Sequence, residues 1–382
     1  MDFWLSKGLF IHNLYKLVWV LHSCENMARY HEDEKLKRVH DYVFLEPTVD
    51  LAGWPEVKGY DFEGKFNFWQ FLKSYYHTGF QATSLYNAIV LIRQMRREKA
   101  TIFLGYTSNM ISCGVREQIK YLTKNKLVDV LVTTTGGLEE DIIKAKKPFV
   151  LGSYDADGGS LREKGINRTG NIFIPDDRYL FFESFMNGLL KRLYSIKKVW
   201  TIAEFVKEMG KELETLAKSD PEINPESSVT YWAYKNSIPY FVLPLVDGSV
   251  GDIIYFFKRT HPDFIIDETS VIVEINNIAM NAEKSGVIAL GGSVPKHLVA
   301  NANLFREGAD YAVYITTAME YEGSNAGANP DEAVSWGKFK AKRTTVKVYA
   351  EASLVFPLIV AGAFYLPLTE SEFDFEEESQ ES

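Results

Sequence analysis

Cysteine is almost missing: the chain of 382 residues contains two, Cys24 and Cys113. That excludes a disulfide framework and leads us to expect a reducing, cytoplasmic location. Basic excess is missing too, since 42 lysines and arginines face 51 acids, so nucleic acid is not an expected partner. Of the net charge of −9, seven negative charges stand in residues 369–382 without one base, which leaves about −2 for everything before them. The tail 367–382 therefore reads as a disordered, solubilising segment. Residues 10–21 are too short and too interrupted to span a bilayer, and no small-residue cleavage site follows them, so no membrane is expected as a partner. There is no G-x-G-x-x-G fingerprint, and no repeat of 20 to 50 residues that would make a solenoid.

What is present is a globular pattern, 46% hydrophobic, enough to bury one large core or two ordinary ones. Phe10, Ile11, Leu14, Leu17, Val18 and Leu21 recur at helical spacing, so residues 1–41 read as a helical extension that packs against the body or another subunit. The charged run 32–38 reads as a solvated helix or linker. Two helices are expected at 66–76 and 84–97, joined by a turn at Thr78 and Gly79. Short apolar strands are expected at 100–105, 129–134, 149–153, 172–175, 239–244, 264–266, 287–290, 311–316 and 346–350. Helices fall between most of them, including one opened by the capping box Thr201 to Glu204 and one over 294–305. The alternation implies a Rossmann-like α/β fold, a largely parallel sheet with helices on both faces.

Ligands of such sheets bind beyond the carboxyl ends of the strands. The loops there are rich in small and hydroxylic residues: 106–112, 133–137, 247–252, 291–293 and 316–318. Such loops suit phosphate and ribose contacts, and equally suit ordinary connections. The stretch 323–339 is more specific, because two carboxylates, Asp331 and Glu332, precede Trp336, Gly337 and Lys338. A lysine becomes a nucleophile only when its amine is neutral, which desolvation beside an apolar wall such as Trp336 favours. The carboxylates are then available to a cationic substrate. A lysine set against a helix C-terminus is the alternative reading of the same residues.

The string Pro330-Asp331-Glu332-Ala333-Val334-Ser335-Trp336-Gly337-Lys338 resembles the signature of the deoxyhypusine synthases. Similar stretches occur at 59–61, 78–83, 103–109, 128–141, 247–252, 290–303, 309–317 and 346–357, so the likeness covers about residues 57–366. It implies a catalytic domain over 42–366 and an N-terminal extension, 1–41, able to plug the active-site mouth. It also implies NAD as cofactor, spermidine as substrate, the precursor of the hypusine-bearing translation initiation factor as acceptor, and a homotetramer built as a dimer of dimers.

In that family NAD oxidises spermidine, 1,3-diaminopropane leaves, and the aminobutyl part passes through an enzyme-lysine imine to the protein lysine. By resemblance Lys338 is the imine-forming lysine and His297 the active-site histidine. Asp252, Glu332, Trp336, Asn325, Glu140, Asn301 and Tyr314 fall at positions that hold or line the amine. Ser108, Asn109, Ser112, Thr134, Gly136, Asp247, Gly291, Gly292, Thr317, Ala318, Glu351 and Ala352 fall at cofactor positions. Three acids in a row, Glu139 to Asp141, also read as partners of a helix N-terminus.

Four residues depart from the family pattern: Asn325 and Glu351 each stand for Asp, Ser293 for Gly and Thr135 for Ala. Asn325 keeps a hydrogen bond and removes a charge. Within the resemblance two other activities are open, a homospermidine synthase-like polyamine enzyme and a catalytically silent regulatory paralogue.

Overall fold

A computed structural model describes residues 34–45, 48–341 and 344–368. The chain divides into two units, Met1–Glu56 and Val57–Ser382. In the first, the helix Glu34–Val43 begins within the charged run. The helix expected at 10–21 and the acidic residues 369–382 lie outside the described residues.

The second unit contains the strands β1 (Thr101–Tyr106), β2 (Val130–Thr133), β3 (Val150–Leu151), β4 (Ile166–Thr169), β5 (Ile172–Pro175), β6 (Val199–Thr201), β7 (Tyr240–Val242), β8 (Ile265–Asp267), β9 (Ser285–Leu290), β10 (Tyr311–Thr316) and β11 (Thr345–Tyr349). Six of them form one sheet in the order β11-β10-β9-β1-β2-β7. Every pairing in it is parallel. All residues of β2, β9 and β10 are buried, the continuous apolar runs that a sheet covered on both faces demands.

Two glycines define the covering helices. A Cβ at Gly105 would meet the Pro295 carbonyl of the helix Ser293–Ala302, and one at Gly286 would meet Met95 of the helix Phe80–Arg97. Gly286 is paired with Ile102 in register. Ile102 and Gly105 differ in parity along β1, so the two helices lie on opposite faces. Each glycine lets its helix approach where a side chain would hold it off.

Chain order along the sheet runs outward in both directions from the β1–β9 pair, which makes this the doubly wound order with its topological switch between those two strands. The crevice for a ligand therefore opens at the carboxyl ends of β1 and β9.

The helix pair appears as Phe68–Thr78 and Phe80–Arg97, hinged at Gly79, and the Thr201–Glu204 capping box is formed on both sides. Three expected strands leave the main sheet. Gly170, at φ 57, turns β4 back onto β5, and β3 joins them in an antiparallel sheet of three. β8 pairs in parallel with β6. Both small sheets are built from the segment between β2 and β7 and from the strand that follows β7. Their strands are short and partly exposed, as at β3, where both residues face solvent, so they lack the buried runs of the main sheet.

Candidate active site

Gly291, at φ +82, ends β9 where an added Cβ would come 2.8 Å from Oγ1 of Thr107, across the switch crevice. Gly292 follows against Ala326, whose Cβ would be only 2.3 Å from a side chain there. Ser293 adopts φ 59, in the left-handed region. That conformation accounts for a preference for glycine at this position, and serine bears it here.

The helix Ser293–Ala302 then presents adjacent side chains in different directions, as its turn of 100° per residue requires. Lys296 points inward and is 2% exposed. Its Nζ donates to the carbonyls of Asn325 (2.6 Å), Ala326 (3.3 Å) and Ala328 (3.0 Å) and lies 4.1 Å from the Tyr314 ring centroid. Burial and the Lys347 ammonium push its pKa down to about 8. His297 is exposed, and Asn301 lies one turn further along, half-buried.

Lys338 is reached by a separate route. Pro330 occupies the first turn of the helix Pro330–Ser335, the helix closes at Trp336, and Gly337 at φ 73 redirects the chain. The backbone on either side of Phe339 is tied to Ala309, whose N–H donates to the Lys338 carbonyl (2.9 Å) and whose carbonyl accepts from the Lys340 N–H (3.0 Å). Phe339 is buried next to Tyr314, with ring centroids 5.7 Å apart.

So held, Nζ of Lys338 lies 3.3 Å from Nε2 of His297 and 5.9 Å from the Trp336 ring centroid. Burial lowers the Lys338 pKa while Glu332 acts to raise it. Partial desolvation and then the Lys338 charge lower that of His297. Glu332 also acts on Lys296 and Tyr314. Asn325 donates from Nδ2 to the Ser293 carbonyl at 3.3 Å. Lys338, His297, Trp336, Glu332, Asn325 and Tyr314 thus form one group, at the ends of β9 and β10.

A second group gathers beyond β2 and β7. The acids Glu139 to Asp141 are not at a helix start; they lie within the helix Thr135–Lys144, all buried. Each has its own partner. Glu139 accepts from the Val250 N–H (2.6 Å), Glu140 from the Ser112 hydroxyl, and Asp141 from Arg116 (2.8 Å) and from residues 228–230. Burial pushes the first two carboxyls up to about 7, whereas Arg116 and three further hydrogen bonds hold Asp141 below the usual range despite its burial. Asp247 and Asp252, both exposed, add negative field at Glu139. Two strands, β1 and β2, stand between β9 and β7, so the two groups are separated by roughly 14 Å along the sheet edge.

The cofactor candidates line that edge. The Ser108 N–H donates to the Thr134 hydroxyl (3.1 Å), and Gly136 lets the two loops touch, since a Cβ there would lie 3.2 Å from that of Ser108. The Ala318 N–H donates to the Thr316 hydroxyl (3.1 Å), beside exposed Thr317. Glu351 caps the next helix through Leu354 N–H (3.2 Å), with Ala352 buried behind it. Asn109 is exposed and Ser112 is buried. Hydroxyls, glycines and helix N-termini converging on the switch crevice fit an elongated phosphorylated ligand. The sequence offers Lys296 no role and Glu139 only that of a partner to a helix N-terminus, because their partners lie far along the chain.

The fold is thus a doubly wound α/β fold of Rossmann type. The deoxyhypusine synthase family model matches residues 70–363. A probable deoxyhypusine synthase of Methanocaldococcus jannaschii is 46% identical over 328 residues, covering 83% of this chain and 98% of the relative. Another, of Schizosaccharomyces pombe, is 45% identical over 360 residues, covering 87% and 99%. The crystal structure of a protein assigned as a deoxyhypusine synthase in Entamoeba histolytica superposes with a TM-score of 0.56 at 29% identity, covering 81% of this chain and 97% of that one. The chain belongs to the deoxyhypusine synthase family.

Proposed function

We propose that this chain is an NAD-dependent aminobutyl transferase. It moves the four-carbon amine of spermidine onto Lys338, releases 1,3-diaminopropane, and delivers the group to one lysine of the precursor of the hypusine-bearing translation initiation factor. The observation that carries this reading is the 3.3 Å approach of the Lys338 amine to His297 Nε2, beside Trp336.

An imine-forming lysine needs a neutral amine and a nearby base. Partial burial favours the neutral amine, and the lowered His297 pKa keeps Nε2 free to take a proton near neutral pH. Trp336 offers an aromatic face to a cation and to the methylene chain, while Glu332 supplies a carboxylate on the same side. Asp252 and Glu140 contribute carboxylates from the second group. NAD, when bound, supplies the hydride acceptor and returns the hydride at the end. Ser108, Thr134, Asp247, Gly291 and Thr317 are the residues we assign to hold it.

Large apolar side chains stay exposed near both groups: Val246, Tyr255 and Phe256 around Asp252, Leu304 and Phe305 after the His297 helix. They support self-association, which we read as a homotetramer in which copies complete each other's sites. Among the described residues no helix is long and apolar enough to cross a membrane. We assign the catalytic domain to residues 42–366 and the activity to the cytoplasm.

The test is to incubate the protein with NAD, radiolabelled spermidine and either the factor precursor or putrescine. Label on the factor supports the proposal. Label only in homospermidine would make this a polyamine enzyme, and label in neither product would point to a silent paralogue.

A further inference from the structure

The loop between β7 and the helix Ser249–Lys258 carries Asp247, and the first turn of that helix carries Asp252. A helix start leaves N–H groups without intrahelical partners, which a side chain at the cap position commonly satisfies. Here the cap position is Gly248, which has no side chain to offer. The acceptor comes from another element: Oε1 of Glu139, in the helix Thr135–Lys144, receives the Val250 N–H at 2.6 Å.

The fit around that carboxylate is tight. Gly248 adopts φ +115, and a Cβ there would come 2.8 Å from Oε1 and 3.2 Å from Oε2 of Glu139. Gly251 is pressed in the same way against the Val246 carbonyl, 2.2 Å from an added Cβ. The loop is therefore folded down onto a buried carboxylate, itself 4% exposed. The next residue, Glu140, turns to the Ser112 hydroxyl, at the end of the short helix Asn109–Ser112 that follows β1. One helix thus fastens two segments of the sheet edge through consecutive side chains.

We propose that Glu139 is a positioning residue: it supplies, from a neighbouring helix, the missing cap of Ser249–Lys258 and so sets where Asp247 and Asp252 stand. What matters is the reach of the side chain to Val250. Glu139→Gln keeps the length and an acceptor oxygen without the charge, whereas Glu139→Asp keeps the charge and falls one methylene short.

The test compares wild type with Glu139→Gln, Glu139→Asp and Glu139→Ala in two ways. Amide hydrogen exchange at Val250 in the ligand-free protein reads the cap directly and is independent of any catalytic reading. It is expected to quicken about tenfold or more in the Asp and Ala variants and to stay near wild type in the Gln variant. The second readout rests on the proposed NAD-dependent amine transfer. The Asp and Ala variants should raise the KM for spermidine about tenfold with kcat little changed, and Gln should restore it. Unchanged Val250 exchange in the Asp variant, which keeps the buried charge, overturns the cap. Faster exchange with an unchanged KM overturns the positioning of the acids. If wild type itself shows no spermidine turnover, the proposed function fails and the exchange result alone decides the cap.

Discussion

The amine of Lys338 lies 3.3 Å from Nε2 of His297, although 41 residues separate them in the chain. Neither residue is brought there by the other. His297 is placed by the strained turn after β9, and Lys338 by the buried Phe339 and the ties to Ala309. The two segments are fastened to each other through Lys296 and the carbonyls of Asn325, Ala326 and Ala328, so neither the Lys338 amine nor the His297 ring is needed to hold the other in place.

Replacing Lys338 by Ala should abolish transfer to any acceptor while leaving NAD-dependent release of 1,3-diaminopropane from spermidine within about tenfold of wild type, because removal of hydride does not need the lysine. Diaminopropane and labelled acceptor are measured in the same reaction. Loss of both from a folded protein that still binds NAD would mean that Lys338 acts earlier.

Replacing His297 by Ala should slow spermidine cleavage about a hundredfold or more, the usual worth of a general base. Cleavage by wild type should decline on the acid side only below the ordinary histidine value of 6.5, because partial desolvation and then the Lys338 charge hold the His297 pKa down. Lys338→Met removes that charge, so the acid limb should move up. A limb that does not respond to Lys338 would assign it to another group.

Asn325 tests the missing charge. Its side-chain amide and its carbonyl are both engaged, by Ser293 and by Lys296 respectively. An aspartate there, with Lys296 nearby to balance it, should lower the KM for spermidine about tenfold, the worth of one charge-assisted contact of about 1 to 2 kcal/mol. An unchanged KM would show that Asn325 does not meet the amine.

Glu140 makes a prediction about stability. Its folded pKa is raised from 4.5 to about 7, chiefly by burial. The folded state then binds the proton more tightly than the unfolded chain, so the contribution is complete below pH 4.5 and is lost as pH rises through about 7. Glu140→Gln should therefore shrink the loss of stability between pH 5 and pH 8 by about 2 to 3 kcal/mol, read from urea denaturation at both values. An unchanged difference would mean that the carboxyl is better solvated than its burial implies.

Much of this architecture is legible in the sequence because the main sheet is buried on both faces. Runs such as Phe103-Leu104 and the whole of β9 and β10 have no exposed side, and a short apolar run is what such a strand must be. β4 and β6 escape notice for the opposite reason, being short and partly exposed. That β3, β5 and β8 leave the main sheet is not written locally, since pairing depends on a turn at Gly170 and on partners far along the chain. Lys338 stands out through its neighbours Trp336 and Gly337. Lys296 does not, because its partners are backbone carbonyls 29 to 32 residues away, which no side-chain pattern announces. The acids Glu139 to Asp141 look like partners of a helix N-terminus, and only the fold reveals that each enters a different buried site.

The role of Lys338 is tested most directly by trapping the intermediate. The protein is incubated with NAD and spermidine without acceptor, reduced with borohydride, digested and mapped by mass spectrometry. One aminobutyl adduct is expected, on the peptide bearing Lys338. An adduct on Lys296 instead, or none in a preparation that modifies the factor, would contradict that role.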